Sequence, residues 1–228
     1  MWLSRLNKIL SNDEINEIRN KTVLIIGIGG VGGYSLESLV RMGINNLIIV
    51  DNDVVDIANL NRQIISLNSN IGEKKVEVAK KRILDINKDC NVITIDKFIT
   101  KENILDLFKY HIDYVIDACD TVSTKIEIIR ECLNRNIKII SSMGTGNKFH
   151  PEMLKITELK KTSYDPLAKV IRNKFKEEKR KIMVVSSTEK GIDINDRTPG
   201  STSLVPSVAG ILCASYVIND ILEGLWQS

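Results

Sequence analysis

The run Val23-Leu24-Ile25-Ile26, followed at once by Gly27-Ile28-Gly29-Gly30-Val31-Gly32, constrains this chain more than any other feature. A continuous apolar, β-branched run suits a parallel strand buried on both faces. G-x-G-x-x-G is informative only between a strand and a helix, and residues 31–42 read as that helix, closing near Gly43. In this setting Gly27 permits the tight turn. Gly29, with Gly30 beside it, lets the backbone approach a phosphate, and Gly32 lets helix and strand pack closely. The helix N-terminus adds N–H donors and the positive end of its dipole. Asp51 follows the last glycine by 19 residues, at the end of the next apolar run, Leu47–Val50. A carboxylate there accepts hydrogen bonds from ribose hydroxyls. A nucleotide is therefore expected; up to this point NAD, FAD and ATP fit equally.

The same alternation continues. Residues 73–86 show helical apolar spacing, 92–95 a strand, 104–108 a short helix, 114–116 a strand ending at Asp117, 122–133 a helix and 137–140 a strand. Repeated β-α units predict an α/β fold, a doubly wound and mostly parallel sheet of Rossmann-like type. After Gly144 the rhythm changes: strands at 153–159 and 182–186 enclose a helix at 166–175. A polar loop over 188–203 then leads to a last helix from 204 to 222. We expect one domain over 1–228, made of an N-terminal helical arm (1–20), a nucleotide-binding core (21–145) and a C-terminal mixed α/β extension on the substrate side (146–228). With 43% hydrophobic residues the chain can bury a core, which excludes disorder. Residues 204–218 form the longest weakly polar stretch. They fall short of the ~20 residues a membrane helix needs, so a buried helix is expected. No signal sequence is visible at the start, and the four separated cysteines suit a reducing cytoplasm. A membrane is not an expected partner.

Charge narrows the nucleotide. Asn59, Arg62 and Lys75 follow Asp51 closely. A hydride-transfer cofactor has no need of this pair of cations, whereas the β- and γ-phosphates of ATP do. Asp117 and Asp120 bracket the end of a strand, where carboxylates of a parallel sheet face the ligand crevice. One of them suits Mg²⁺, which takes one or two carboxylates together with phosphate oxygens.

The run GIGGVGG…IVDNDVVDIANLNRQ…IGEKKVEVAK…VIDACDTVSTK resembles the ATP-binding core of the adenylyltransferase superfamily of ubiquitin-activating enzymes and sulfur-carrier activators. The resemblance puts Gly27, Gly29 and Gly32 on the phosphate loop, Asp51 on the ribose, Asn59, Arg62 and Lys75 on the phosphates, and Asp120 on Mg²⁺. Arg5 is similar to an N-terminal arginine that reaches into the site of a partner subunit, which implies a homodimer. The segments SSMGTGNK (141–148), KTSYDPLA (161–168), PGST (199–202) and VPS (205–207) resemble one subfamily, the tRNA threonylcarbamoyladenosine dehydratases. Membership would imply ATP-dependent cyclisation of threonylcarbamoyladenosine at position 37 of tRNA. It also admits sulfur-transfer helper proteins as partners and a monovalent cation ordering the loop at 141–148.

A net charge of +3 does not by itself indicate nucleic acid, but residues 169–181 hold seven basic and two acidic side chains. Lys169, Arg172, Lys174, Lys176 and Lys179 are therefore candidate tRNA phosphate contacts. Adenylation needs charge neutralisation more than proton transfer, in keeping with only two histidines. Catalysis is expected from Arg62, Lys75, Asp120 and the partner's equivalent of Arg5. A thioester is not required, and Cys119 is expected to pack. Three competing readings are a sulfur-carrier adenylyltransferase, an NAD-binding oxidoreductase and a nucleotide sensor without turnover.

Overall fold

The computed structural model describes residues 2–196 and 198–226. Met1, Arg197 in the loop expected over 188–203, and the last two residues of the expected domain lie outside the described residues. The chain folds as α1 (Asn12–Asn20), β1 (Thr22–Ile26), α2 (Gly32–Arg41), β2 (Asn46–Val50), α3 (Lys75–Ile86), β3 (Asn91–Ile95), β4 (Tyr114–Asp117), α4 (Val122–Arg135), β5 (Lys138–Ser142), β6 (Leu154–Glu158), α5 (Pro166–Lys174), β7 (Met183–Ser187) and α6 (Leu204–Trp226). Short 3-10 turns fill several connections, among them Ile104–Lys109.

Seven strands form one sheet in the order β3-β2-β1-β4-β5-β7-β6. All neighbours are parallel except β6, which runs antiparallel to β7. The expected doubly wound sheet is thus present, and β7 extends it without a break. The central strands are buried on both faces, which is why they read as unbroken apolar runs. Strand order reverses between β1 and β4, so a crevice opens beyond their C-terminal ends, where such folds bind ligands.

Two apolar layers flank the sheet. One contains Leu36, Leu39 and Val40 of α2, Ile15 and Ile18 of α1, and Val205, Ala209, Cys213, Val217 and Ile221 of α6. The other joins Ile128, Ile129 and Cys132 of α4 to Ala168 and Ile171 of α5. The N-terminal residues pack into the first layer: Leu3 and Leu10 are buried, and Ser11 caps α1 through a reciprocal bond with Glu14.

The final helix corrects one expectation. Its apolar stretch runs over 20 residues, Leu204–Glu223, long and apolar enough by composition to cross a membrane. Its packing on α2 and the sheet accounts for that apolarity. The two helices approach so closely at Gly210 that a Cβ there would lie 2.2 Å from the Val31 carbonyl oxygen. Ser35 Oγ bridges them by donating to the Gly210 carbonyl at 2.9 Å.

Candidate nucleotide-binding active site

The crevice beyond β1 and β4 is a cavity of about 560 Å³. Its floor is the glycine loop. Gly27 has φ +88°, and a Cβ on it would meet the Ala118 carbonyl oxygen at 2.8 Å, so only glycine fits the turn from strand to loop. Gly32 lies against Gly27 itself, as helix–strand packing requires. Gly29 and Gly30 line the cavity, and Pro206 of α6 closes on Gly30 from above. The first turns of α2, α4 and α6 all border the space, through Val31, Thr121 and Pro206. Three helix N-termini therefore make it favourable for anions.

Asp51 stands at the end of β2. Its carboxylate accepts from the Ile28 N–H at 2.6 Å and from the Asp53 N–H at 2.9 Å, which ties it to the glycine loop. Burial holds the Asp51 carboxyl above the usual aspartate value of 3.8, against the pull of those two bonds and of the Lys75 charge. Asn59, Arg62 and Lys75 line the same cavity. Asn59 Oδ1 accepts from the Asp56 N–H and so shapes the turn that carries it. Arg62 donates to the Ala58 carbonyl at 2.6 Å and to Asn61 Oδ1 at 2.9 Å. Lys75, with a side chain only 5% exposed, pairs with Asp53 at 2.8 Å.

The two aspartates at β4 separate cleanly. Asp117 is fully buried and bonds to Lys125 Nζ at 2.8 Å and to Ser141 Oγ at 2.5 Å. It is a structural anion. Asp120 is exposed, lines the cavity and forms no ion pair among the described residues. Cys119 packs against the apolar layer beside α4, as expected, and also lines the cavity. Its Sγ donates to Asp117 Oδ1 at 3.0 Å. Burial, and then the Asp117 charge, push the thiol well above its ordinary value, so it is a poor nucleophile.

The opposite wall comes from the C-terminal segments: Thr145, Gly146 and residues 198–201 line the cavity. Asn147, with φ +58°, knits them together. Its N–H donates to the Gly200 carbonyl, its Oδ1 accepts from the Gly200 N–H, and its carbonyl accepts from the Ile192 N–H. Asn61 Nδ2 donates to the Ser201 carbonyl at 3.0 Å, fastening this wall to the segment that carries Arg62.

Arg5 is exposed and does not line the cavity of its own chain. In the basic segment, Lys169, Lys174, Lys176 and Lys179 are exposed, with Lys176 loosely paired to Glu177. Arg172 instead donates to the Thr162 carbonyl and hydroxyl, bracing the start of α5.

Several site residues escape a reading of the sequence. Lys125 lies on the stripe of Ile128, Ile129 and Cys132, and a lysine on an otherwise apolar face is the signal that could have found it. Asp53 holds Lys75 from a position two residues past Asp51. Gln63 is buried beside the glycine loop and its Oε1 has no partner among the described residues.

Known proteins share this sequence pattern and this fold. The ThiF family pattern matches residues 3–224. This chain belongs to the ThiF family. Within it, the chain is 40% identical to the tRNA threonylcarbamoyladenosine dehydratase of Bacillus subtilis, over 97% of this chain and 95% of that one. It is 34% identical to the Escherichia coli dehydratase over 84% and 70% of the two chains. The solved structure of E. coli TcdA in complex with ATP superposes with a TM-score of 0.93 at 29% identity, over 99% of this chain and 96% of that one.

Proposed function

We propose that this protein uses ATP to dehydrate N6-threonylcarbamoyladenosine at position 37 of tRNA to its cyclic form, through a carboxyl adenylate. The observation that carries the reading is one cavity that gathers the glycine loop, Asp51, Arg62, Lys75 and Asp120, in a fold that follows the ATP-bound dehydratase over nearly its whole length.

In the first step a substrate carboxylate oxygen attacks the α-phosphorus of ATP. The bond to the β-phosphate oxygen breaks, and pyrophosphate leaves. Arg62 and Lys75 release Ala58, Asn61 and Asp53 in favour of phosphate oxygens and neutralise the charge that develops on the leaving group. The α2 N-terminus holds the phosphates in line, and Asp51 fixes the ribose. Asp120 is an exposed carboxylate that lines the cavity, accepts one long hydrogen bond from the Thr121 hydroxyl and has no ion pair among the described residues, which fits a Mg²⁺ ligand. Bound there, the ion would add charge to the same neutralisation. In the second step a neighbouring atom of the same carbamoyl group attacks the mixed anhydride, AMP departs and a proton is lost. The ring closes within one molecule, so positioning supplies much of the rate. Net, the base loses one water while ATP becomes AMP and pyrophosphate. Cys119 takes no part.

The finer assignments belong to the same proposal. Arg5 is exposed and does not line its own cavity, so it serves a partner's site in a homodimer. The exposed lysines around α5 hold tRNA phosphates, and the enzyme works in the cytoplasm with its tRNA. Sulfur-transfer helper proteins and a monovalent cation at the loop after β5 stand as partners to be tested. The sulfur-carrier reading is weaker: the yeast adenylyltransferase and sulfurtransferase UBA4 is 33% identical but matches only 58% of this chain and 30% of its own. Incubating the protein with ATP and tRNA carrying the modification, then measuring nucleosides by mass spectrometry, tests the proposal. Loss of one water per AMP formed is the expected result; AMP release with an unchanged nucleoside would refute it.

A further inference from the structure

We infer that Tyr164 and Phe149 form a base-stacking platform for nucleotides of the tRNA anticodon loop, beside the mouth of the nucleotide cavity. The inference rests on the proposed tRNA substrate and assigns the surface that receives it.

Both rings stand in water: Tyr164 is 68% exposed and Phe149 57%. Rings standing in water have faces free to stack on a base. The backbone beneath Tyr164 is constrained. Tyr164 has φ +55°, a left-handed conformation uncommon for a bulky residue and tolerated only where the surroundings enforce it. The enforcement comes from its neighbour Asp165. That carboxylate is buried, accepts from the Ala168 N–H at 2.9 Å to cap α5, and pairs with Lys148 Nζ at 3.3 Å. Lys148 is buried as well and also donates to the Gly144 carbonyl at 2.7 Å. Phe149 follows Lys148, and its N–H is held by the buried carboxylate of Glu189. Each exposed ring is thus the chain neighbour of one half of a buried ion pair.

That pair abuts the cavity. The Asp165 carboxylate oxygens lie 3.3 Å from where a Cβ would stand on Gly144, and the next residues, Thr145 and Gly146, line the nucleotide site. The chain segments that carry the two rings are therefore continuous with a wall of the cavity. Charge names the occupant. The cationic residues Lys169, Lys174, Lys176 and Lys179 follow Tyr164 along and beyond α5, all exposed. An exposed aromatic pair leading into a row of cations matches unpaired bases on a phosphate backbone. Stacking reads the π-face of any base, so it would hold loops of differing sequence.

The test uses an anticodon stem-loop RNA carrying the modified adenosine. Tyr164→Asn removes the ring while keeping a residue that accepts the left-handed backbone. Stem-loop affinity should fall by about 10-fold, and by more when Phe149→Ala is added. The slope of affinity against salt should stay unchanged, because neutral rings release no counterions. ATP affinity of both variants should match the wild type. In Tyr164→Trp, stem-loop addition should quench the new indole emission relative to the parent. Unaltered stem-loop affinity in the double variant, with ATP binding intact, overturns the platform and leaves the tRNA reading standing. A wild-type protein that neither binds nor dehydrates the RNA overturns the proposed function itself.

Discussion

Replacing Lys125 by methionine tests whether the ion pair beneath the cavity holds the turn that presents Asp120. Both side chains of the pair are fully buried. Lys125 Nζ donates to Asp117 at 2.8 Å, to the Ser142 carbonyl at 3.0 Å and to Ser141 Oγ at 3.2 Å. It therefore ties the end of β4 to the end of β5, the two strands from which residues 118–120 and 143–148 depart. Methionine keeps the length and removes the charge and all three bonds. Asp117 is left as a buried anion, and that costs about 3–5 kcal/mol. In a chain of this length the loss lowers Tm by roughly 6–20 °C. Asp117→Asn added to Lys125→Met removes both charges, and replacing both halves of a buried pair can be close to neutral, so the double variant should recover at least ~1.5 kcal/mol. Urea midpoints of the four proteins, with slopes constant, form a double-mutant cycle. The pH dependence has a definite sign. Burial pushes the Lys125 ammonium down most strongly, but the Asp117 charge and hydrogen bond, with Cys119 and Cys213, together outweigh it and the folded value is raised. Its contribution is then whole below the unfolded lysine value of about 10.4 and fades only as pH rises through the higher folded value. The contribution of Lys125 in the wild type should therefore be constant between about pH 6 and about pH 9. A cost under ~1 kcal/mol, or strictly additive single effects, would refute the argument.

Gly210→Ala drives a methyl group into the Val31 carbonyl 2.2 Å away, so α6 must shift off α2. A loss of about 1–3 kcal/mol in denaturant titration is expected. ATP affinity should weaken too, since Pro206, a turn earlier on α6, closes on Gly30. Asp51→Asn should weaken ATP binding by about 10-fold, measured calorimetrically. Because the wild-type carboxyl is raised above 3.8, the advantage of wild type over Asp51→Asn should decline on acidification before an ordinary aspartate would protonate. Changing Lys174, Lys176 and Lys179 together to alanine should flatten the salt dependence of tRNA binding by roughly two units of slope while leaving ATP affinity unchanged. An unchanged slope removes this segment from the tRNA contact.

The order of strands and helices was legible because each β-α unit is a local pattern: a β-branched run, a glycine or aspartate stop, and a 3.6-residue periodicity. Val23–Ile26 and its glycine loop announce the phosphate site within ten residues. What stayed hidden was pairing across distance. Nothing near Lys125 in the sequence says that it meets Asp117 on one side and Ser141 on the other. Nothing near Asn147 says that it clasps Gly200. The apolar stretch of α6 was counted only to Ile218, where Asn219 and Asp220 interrupt it, yet the helix runs on past both and Asp220 accepts from the Tyr114 hydroxyl. Lys169 and Arg172 look alike in composition, but Arg172 faces Thr162 and serves the fold. A cluster of charges gives the sign of a surface and leaves its members unsorted.

The sorting of Asp117 from Asp120 shows what decides a role at such a sheet edge. Both stand near the C-terminal end of β4, and position alone would give either one to a ligand. Burial with a cation fixes Asp117 as an anion that never leaves its partner, while exposure without a cation leaves Asp120 able to take one. The same test applied to the cations gives a different result. Lys75 is almost wholly buried, so its ammonium must be compensated at every stage. Asp53 compensates it when no triphosphate is present, and being 59% exposed it can turn to water when a phosphate takes its place. Exchange of one anion for another keeps the lysine charged and aimed at the cavity throughout. The site can therefore be organised before ATP arrives, and little of the binding energy is spent on ordering it.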